Sequence, residues 1–141
     1  MSKITGTSLK RLQTCDNRLQ IIIHDVSDIM DLSVLCGERS KEEQNKAYAE
    51  GKSKLQWPDS KHNIKPGQDK AKAVDVIPYF LQGKEHYDWE DELAFARLAG
   101  VIMAVAHRHG VKIRWGGDWD RDGRSADERF LDLPHFELDE D

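Results

Sequence analysis

Only two of the 141 residues are cysteine, and Cys15 and Cys36 lack C-x-x-C spacing, so both are expected to be reduced, buried small residues rather than a bridge. No apolar run approaches the roughly 20 residues that cross a bilayer, which argues against membrane insertion. The opening "MSKITGTSLKRLQT" has no hydrophobic signal-peptide core, so synthesis in the cytoplasm without an export signal is expected. Lys and Arg number 21 against 26 Asp and Glu and are scattered among them, leaving no basic stripe to hold a phosphate backbone; nucleic acid is excluded as the expected partner. Internal repeats and low-complexity tracts are also lacking.

What remains is a chain with 38% apolar and 33% charged residues, enough for one soluble globular core and too short for two ordinary domains. A single domain over 1–141 is expected. Leu12, Cys15, Leu19, Ile22, Val26 and Ile29 recur at helical spacing and predict one core helix from Ser8 to about Met30, with Thr7 or Ser8 as its cap. "LSVLCGERS" reads as a short buried strand, and "SKEEQNKAYAEG" as a helix opened by a Ser40/Glu43 capping box and closed by Gly51. Arg39 therefore sits at a strand-to-helix junction.

Residues 52–70 hold Trp57-Pro58 and Pro66-Gly67 without periodicity and predict a long loop of the kind that often carries function. "AKAVDVIPY" is β-rich. "DELAFARLAGVIMAVAHRHG" aligns Phe95, Leu98, Ala99, Ile102, Val105 and Ala106 on one helical face before Gly110. "VKIRW" and "LPHFEL" read as two further strands, and 139–141 as a frayed acidic tail. The order predicts an α+β fold, a small sheet with helices packed against it.

One residue conflicts with its surroundings. Asp75 lies inside an apolar strand, where a carboxylate is costly unless something pairs with its charge. A metal is one such partner, and His62 upstream with His135 near the C-terminus completes a His, Asp, His set of the type that holds zinc with one position open. Spacing alone equally allows a solvated His62, an Asp75 paired with lysine or capping a turn, and a His135 facing solvent.

The motifs "SKH…AVDVIPY", "GGDW…DLPHFEL" and "GERSKEEQ" together resemble the zinc D-alanyl-D-alanine carboxypeptidase and L-alanyl-D-glutamate endopeptidase family, which cuts peptidoglycan stem peptides, and in particular its short single-domain phage endolysins. The likeness runs from about Leu9 to Leu138. It implies a small, largely antiparallel sheet with a single zinc site whose ligands are His62, Asp75 and His135. It further implies Asp132 as the catalytic acid/base, and Arg39 as the arginine that serves the oxyanion or a substrate carboxylate. Many members have a shorter spacing between the first two ligands and a glycine where Ala71 stands; here twelve residues intervene, so the loop over 63–72 must bulge while the ligands converge.

The resemblance implies metal-assisted hydrolysis of the L-alanyl-D-glutamate bond by a monomer that reaches the wall with the help of a separate pore-forming protein. Two alternatives are D-alanyl-D-alanine carboxypeptidase or dipeptidase action, and a non-catalytic metal-stabilised wall-binding module. Glu137 is a rival base to Asp132. "DWDRDG" begins like a calcium loop, with Asp118, Asp120 and Asp122 as oxygen donors; Arg129 stands at the twelfth position, so Asp127 and Glu128 would have to complete a nonstandard site. The alternative is an acidic solvent loop. His107 and His109 are two apart on a helix and do not face each other, which argues against a metal pair. Trp57, Trp115 and Trp119 flank the proposed ligands as groove or core residues.

Overall fold

A computed structural model describes residues 3–79, 90–123 and 131–140. The described elements are α1 (Gly6–Leu12), α2 (Asn17–Ser27), β1 (Ser33–Cys36), α3 (Lys41–Ala49), β2 (Ala73–Ile77), α4 (Glu92–Arg108), β3 (Ile113–Gly116) and β4 (Asp132–Leu138). The strands form one antiparallel sheet in the order β1-β2-β4-β3, so the α+β expectation holds. No helix among the described residues is long and apolar enough to cross a membrane.

The two faces of the sheet differ in kind. Val34, Val74, Val76, Ile113, Phe136 and Leu138 point to one side and close a core with α2 and α4. On α4 the six residues of the predicted face are all buried, and on β2 the side chains alternate about Val74 and Val76. Asp75, His135 and Glu137 therefore fall on the other face, away from α2 and α4, where a cavity opens. The register sets Asp75 directly opposite His135 on β4 and opposite Cys36 on β1.

The single helix expected over 8–30 is in fact two. Leu12, Cys15, Leu19, Ile22 and Val26 are buried as their spacing requires, but the chain breaks at 13–16 and Ile29 is 59% exposed beyond the end of α2. The break has a tertiary cause: Ala71 donates its N–H to Thr14 O, and Asp16 donates its own to Ala71 O, so this segment pairs with the chain entering β2 instead of with a helix. Asp16 then caps α2 by accepting from Arg18 N at 2.9 Å, and its carboxylate also engages the Arg18 guanidinium and Lys72. The Arg18 hydrogen bond, outweighing burial, holds this carboxyl well below the usual range.

Asp16→Ala is expected to cost about 1–2 kcal/mol in thermal denaturation at pH 7. Because the folded-state pKa is depressed, that stabilisation is complete above the unfolded value of about 3.9 and disappears as pH falls below it. The wild-type advantage should therefore narrow in acid, and a gap that stays constant down to pH 2 would exclude this role.

The capping box of α3 is present in both directions, Glu43 N to Ser40 Oγ at 3.1 Å and Ser40 N to Glu43 Oε1 at 2.9 Å. Residues 52–70 contain no helix or strand. At the C-terminal end, Asp139 pairs with Arg121, and Glu140 with Arg18 and Lys72, so these two members of the expected acidic tail are engaged with the body of the fold.

Candidate active site

Three side chains from three segments meet on the open face of the sheet. Asp75 comes from the middle of β2, His135 from β4 beside it, and His62 from the 52–70 loop. The loop is fixed locally by a serine turn: Ser60 Oγ accepts from His62 N at 3.1 Å, and Ser60 N donates to Asn63 Oδ1 at 3.1 Å. Its backbone is then stitched to the fold by Arg39 N to His62 O and by Lys72 N to Lys61 O. The serine two before the histidine thus has a mechanical role in presenting it.

His62 Nε2, Asp75 Oδ1 and His135 Nδ1 form a near-equilateral triangle with sides of 3.1, 3.1 and 3.2 Å. The outer nitrogens of both rings are already committed. His62 Nδ1 lies 2.7 Å from Gly37 O, and His135 Nε2 lies 2.8 Å from Glu137 Oε1, so each outer nitrogen must be the N–H donor. In the neutral tautomers that follow, two ring lone pairs and a carboxylate oxygen face one another with no proton between them. Such an arrangement requires a cation.

Without a metal, a proton fills that role. Burial alone would lower His62, but the Asp75 charge and hydrogen bond outweigh it and lift the imidazole to about 10; His135 is raised as well, and Asp75 is pushed far down by the two rings despite its burial. The donor set also fits zinc. Donors about 2.0–2.1 Å from a tetrahedral zinc ion lie about 3.3–3.4 Å apart, close to the sides of this triangle.

Cys36, His62 and Asp75 constitute a second, overlapping group of possible metal ligands. Cys36 Sγ, however, lies 3.8 Å from His62 Nδ1, the nitrogen that Gly37 O already occupies. The sulfur therefore approaches the outer nitrogen of the ring, while staying within 4.8 Å of an Asp75 oxygen. This approach has no local signal in the residue pattern; the register shift between Val34 and Cys36 on β1 sets Cys36 opposite Asp75.

Asp132 poses a geometric puzzle, since residues three apart in a regular strand point to opposite faces. Both Asp132 and His135 nevertheless line the cavity. Trp115 pairs with Phe136, yet the next residue, Gly116, pairs with Asp132 instead of His135, so Leu133, Pro134 and His135 bulge out of the β3–β4 ladder. Pro134 has no N–H to lose there. Gly116 permits the close approach, because a Cβ at that position would come within 2.0 Å of Asp132 O. Burial and the neighbouring Asp75 charge raise the Asp132 pKa, against the pull of His135, His62 and Arg39.

Glu137, the rival base, sits behind His135. It accepts from His135 Nε2 and from Arg114 at 2.6 Å, and Lys61 lies 3.5 Å away. Burial would raise this carboxyl, but the His135 and Arg114 hydrogen bonds prevail and set it at about 2. A carboxylate so thoroughly engaged orients an imidazole and holds the tautomer; it is a poor proton acceptor. Arg39 lies on the other side, with Nη1 3.0 Å from Gln44 Oε1 and Nη2 3.7 Å from Asp75 Oδ2, the oxygen outside the triangle.

The cavity measures about 540 Å³, and its lining includes Arg39, Lys52 and Lys54 together with Trp119, Leu131 and Leu133. Trp119 stands 5.5 Å from the His135 ring, whereas Trp115 stacks on Phe136 and donates its indole N–H to Leu133 O, a packing role. Trp57 does not line the cavity. Asp118, Asp120 and Asp122 do converge, with Asp122 N and Gly123 N donating to the Asp118 carboxylate, while Asp127 and Glu128 lie outside the described residues. His109 Nε2 lies 2.6 Å from Asp25 Oδ2.

Comparison with known proteins agrees with this architecture. Residues 1–139 match the family model of phage L-alanyl-D-glutamate peptidases. The L-alanyl-D-glutamate peptidase of Escherichia phage T5 is 28% identical over 128 residues, spanning 89% of this chain and 88% of that protein. The crystal structure of the Serratia marcescens L-Ala D-Glu endopeptidase ChiX superposes with a TM-score of 0.69 at 25% identity, covering 96% of this chain and 88% of the other. A match spanning all but the last two residues, on a fold shared with a solved endopeptidase, places this chain in the phage L-alanyl-D-glutamate peptidase family.

Proposed function

We propose that the chain is a zinc-dependent peptidoglycan peptidase of the endolysin type that hydrolyses the L-alanyl-D-glutamate bond of the stem peptide. The observation that carries the reading is the triangle of three inward-facing acceptors at 3.1–3.2 Å, beside a raised carboxyl in an open cavity. His62 Nε2, Asp75 Oδ1 and His135 Nδ1 would hold the metal. When bound, zinc supplies Lewis-acid polarisation of a carbonyl and a water of lowered pKa.

The chain's own groups do the rest. Asp132 takes a proton from the attacking water and returns it to the leaving amine, a task suited to a carboxyl whose pKa is raised by burial and by the Asp75 charge. Arg39 offers a cationic fork to the developing oxyanion or to a carboxylate of the stem peptide. Glu137 and Gly37 O fix the two imidazoles in the tautomers that leave the inner nitrogens bare. We take the enzyme to act as a monomer, with a separate pore-forming protein giving it access to the wall from the cytoplasm.

Glu137→Gln is expected to weaken zinc affinity by about 10–100-fold, measured by competition with a chromophoric chelator. Unchanged affinity would remove Glu137 from the support of His135. The activity itself is tested by mass spectrometry of purified peptidoglycan after digestion. New free amino groups on D-glutamate support the assignment; release of terminal D-alanine identifies a carboxypeptidase, and sedimentation with the wall without new ends a binding module.

A further inference from the structure

Helix α3 has an unusual anchor. Its sequence, KEEQNKAYA, supplies no apolar stripe, and its one buried residue is Gln44, which is 0% exposed. A helix polar on every side gains little from burial, so α3 is held by polar contacts: Asn45 Oδ1 accepts from Trp57 N at 3.2 Å at the surface, and the Gln44 amide is the buried one.

All four of its bonding positions are used. Oε1 accepts from Arg39 Nη1 at 3.0 Å and from Asn63 Nδ2 at 3.2 Å; Nε2 donates to Ser53 Oγ at 2.9 Å and to Leu55 O at 2.6 Å. Asn63, equally buried, donates also to Arg39 O and accepts from Ser60 N beside His62. One side of the amide therefore holds the guanidinium that faces Asp75, and the other holds the 53–55 wall of the cavity.

The geometry assigns Gln44 as a positioning residue that aims Arg39 and fixes the 53–55 wall of the substrate groove as one unit. This rests on the reading of the cavity as a peptidase site. The amide reaches neither the triangle nor the groove itself, and it acts through what it holds. With an apolar side chain of the same length, Arg39 Nη1 loses its 3.0 Å acceptor, and the guanidinium keeps only the longer 3.7 Å approach of Nη2 to Asp75 Oδ2. Glutamate in its place keeps an oxygen for Arg39 and Asn63 and loses the two donors toward the wall. The two substitutions therefore separate the two halves of the role.

The test compares wild type, Gln44→Met and Gln44→Glu by NMR relaxation of the Arg39 Nε–Hε group, and then by kinetics of the zinc-loaded enzymes. Arg39 should be rigid in wild type and Gln44→Glu and mobile in Gln44→Met, a result that needs no turnover. In kinetics, Gln44→Met should lower kcat/KM about 10–100-fold with zinc content unchanged. Gln44→Glu should mainly raise KM. In an Arg39→Ala background, Gln44→Met should cost no more than about threefold further in kcat, because the effects share one route. An Arg39 equally rigid in Gln44→Met, or losses in kcat that multiply in the double variant, would overturn the assignment. If Gln44→Met does not fold, Ser53→Ala with Gln44→Glu tests the wall alone, where an unchanged KM in both is the overturning result. Inactivity of the wild type on stem peptide would refute the peptidase reading, while the Arg39 relaxation would still decide the role of Gln44.

Discussion

Replacing Asp132 by asparagine is expected to lower kcat on an L-alanyl-γ-D-glutamyl peptide by about 10²–10⁴-fold and to leave zinc content at the wild-type level. The substitution preserves size and removes only the ability to carry a proton. Its context makes the effect large. The bulge at 133–135 returns Asp132 to the open face, and Gly116 lets the two backbones approach so closely that the side chain has a fixed mount. Burial and the Asp75 charge both favour its protonated form, which brings its pKa nearer to that of the groups it must exchange protons with. Glu137 cannot substitute, since its oxygens are taken by His135, Arg114 and Lys61. Single-turnover assays with metal analysis on the same samples provide the measurement. Activity within tenfold of wild type would transfer the acid/base role elsewhere.

Loss of His62 should be still more damaging. His62 is 2% exposed and touches the structure at both ends, with Gly37 O behind and Asp75 and His135 ahead. His62→Ala removes one of three inward donors and, in the metal-free chain, the charge partner of a carboxylate that is itself only 14% exposed. Removing one member of a buried pair costs about 3–5 kcal/mol. We expect calorimetry to show a lowered Tm for His62→Ala that a chelator does not change, and no detectable hydrolysis. Wild type should lose both activity and Tm when the chelator removes zinc, because an ion bound only by the folded chain stabilises it by mass action. Readdition of zinc should restore both in wild type alone. A wild-type enzyme that stays active and equally stable through exhaustive chelation would contradict the metal reading.

How much of this was legible beforehand depends on how local each feature is. The Ser40/Glu43 box, the α4 face and the glycine stops after α3 and α4 are short-range patterns, and they appear as read. Asp75 stood out because a charge in an apolar strand must find a partner, and His62 Nε2 and His135 Nδ1 each lie 3.1 Å from its Oδ1. The division of the first helix was hidden because Leu12, Cys15 and Leu19 keep one period across the break; the cause lies in Ala71, far along the chain. The bulge in β4 depends on pairing with Gly116, and the work of Gln44 depends on four partners in three segments. The only sequence trace of that hub was the missing apolar face of α3, a weak sign that the helix is held by something other than burial.

If His62, Asp75 and His135 together hold one metal ion, anomalous diffraction at the zinc edge from crystals of active, zinc-loaded protein will locate it. A single peak within bonding distance of His62 Nε2, Asp75 Oδ1 and His135 Nδ1 is the predicted result. A peak on the Cys36 side of His62, or no ordered zinc in protein that hydrolyses stem peptide, would contradict it.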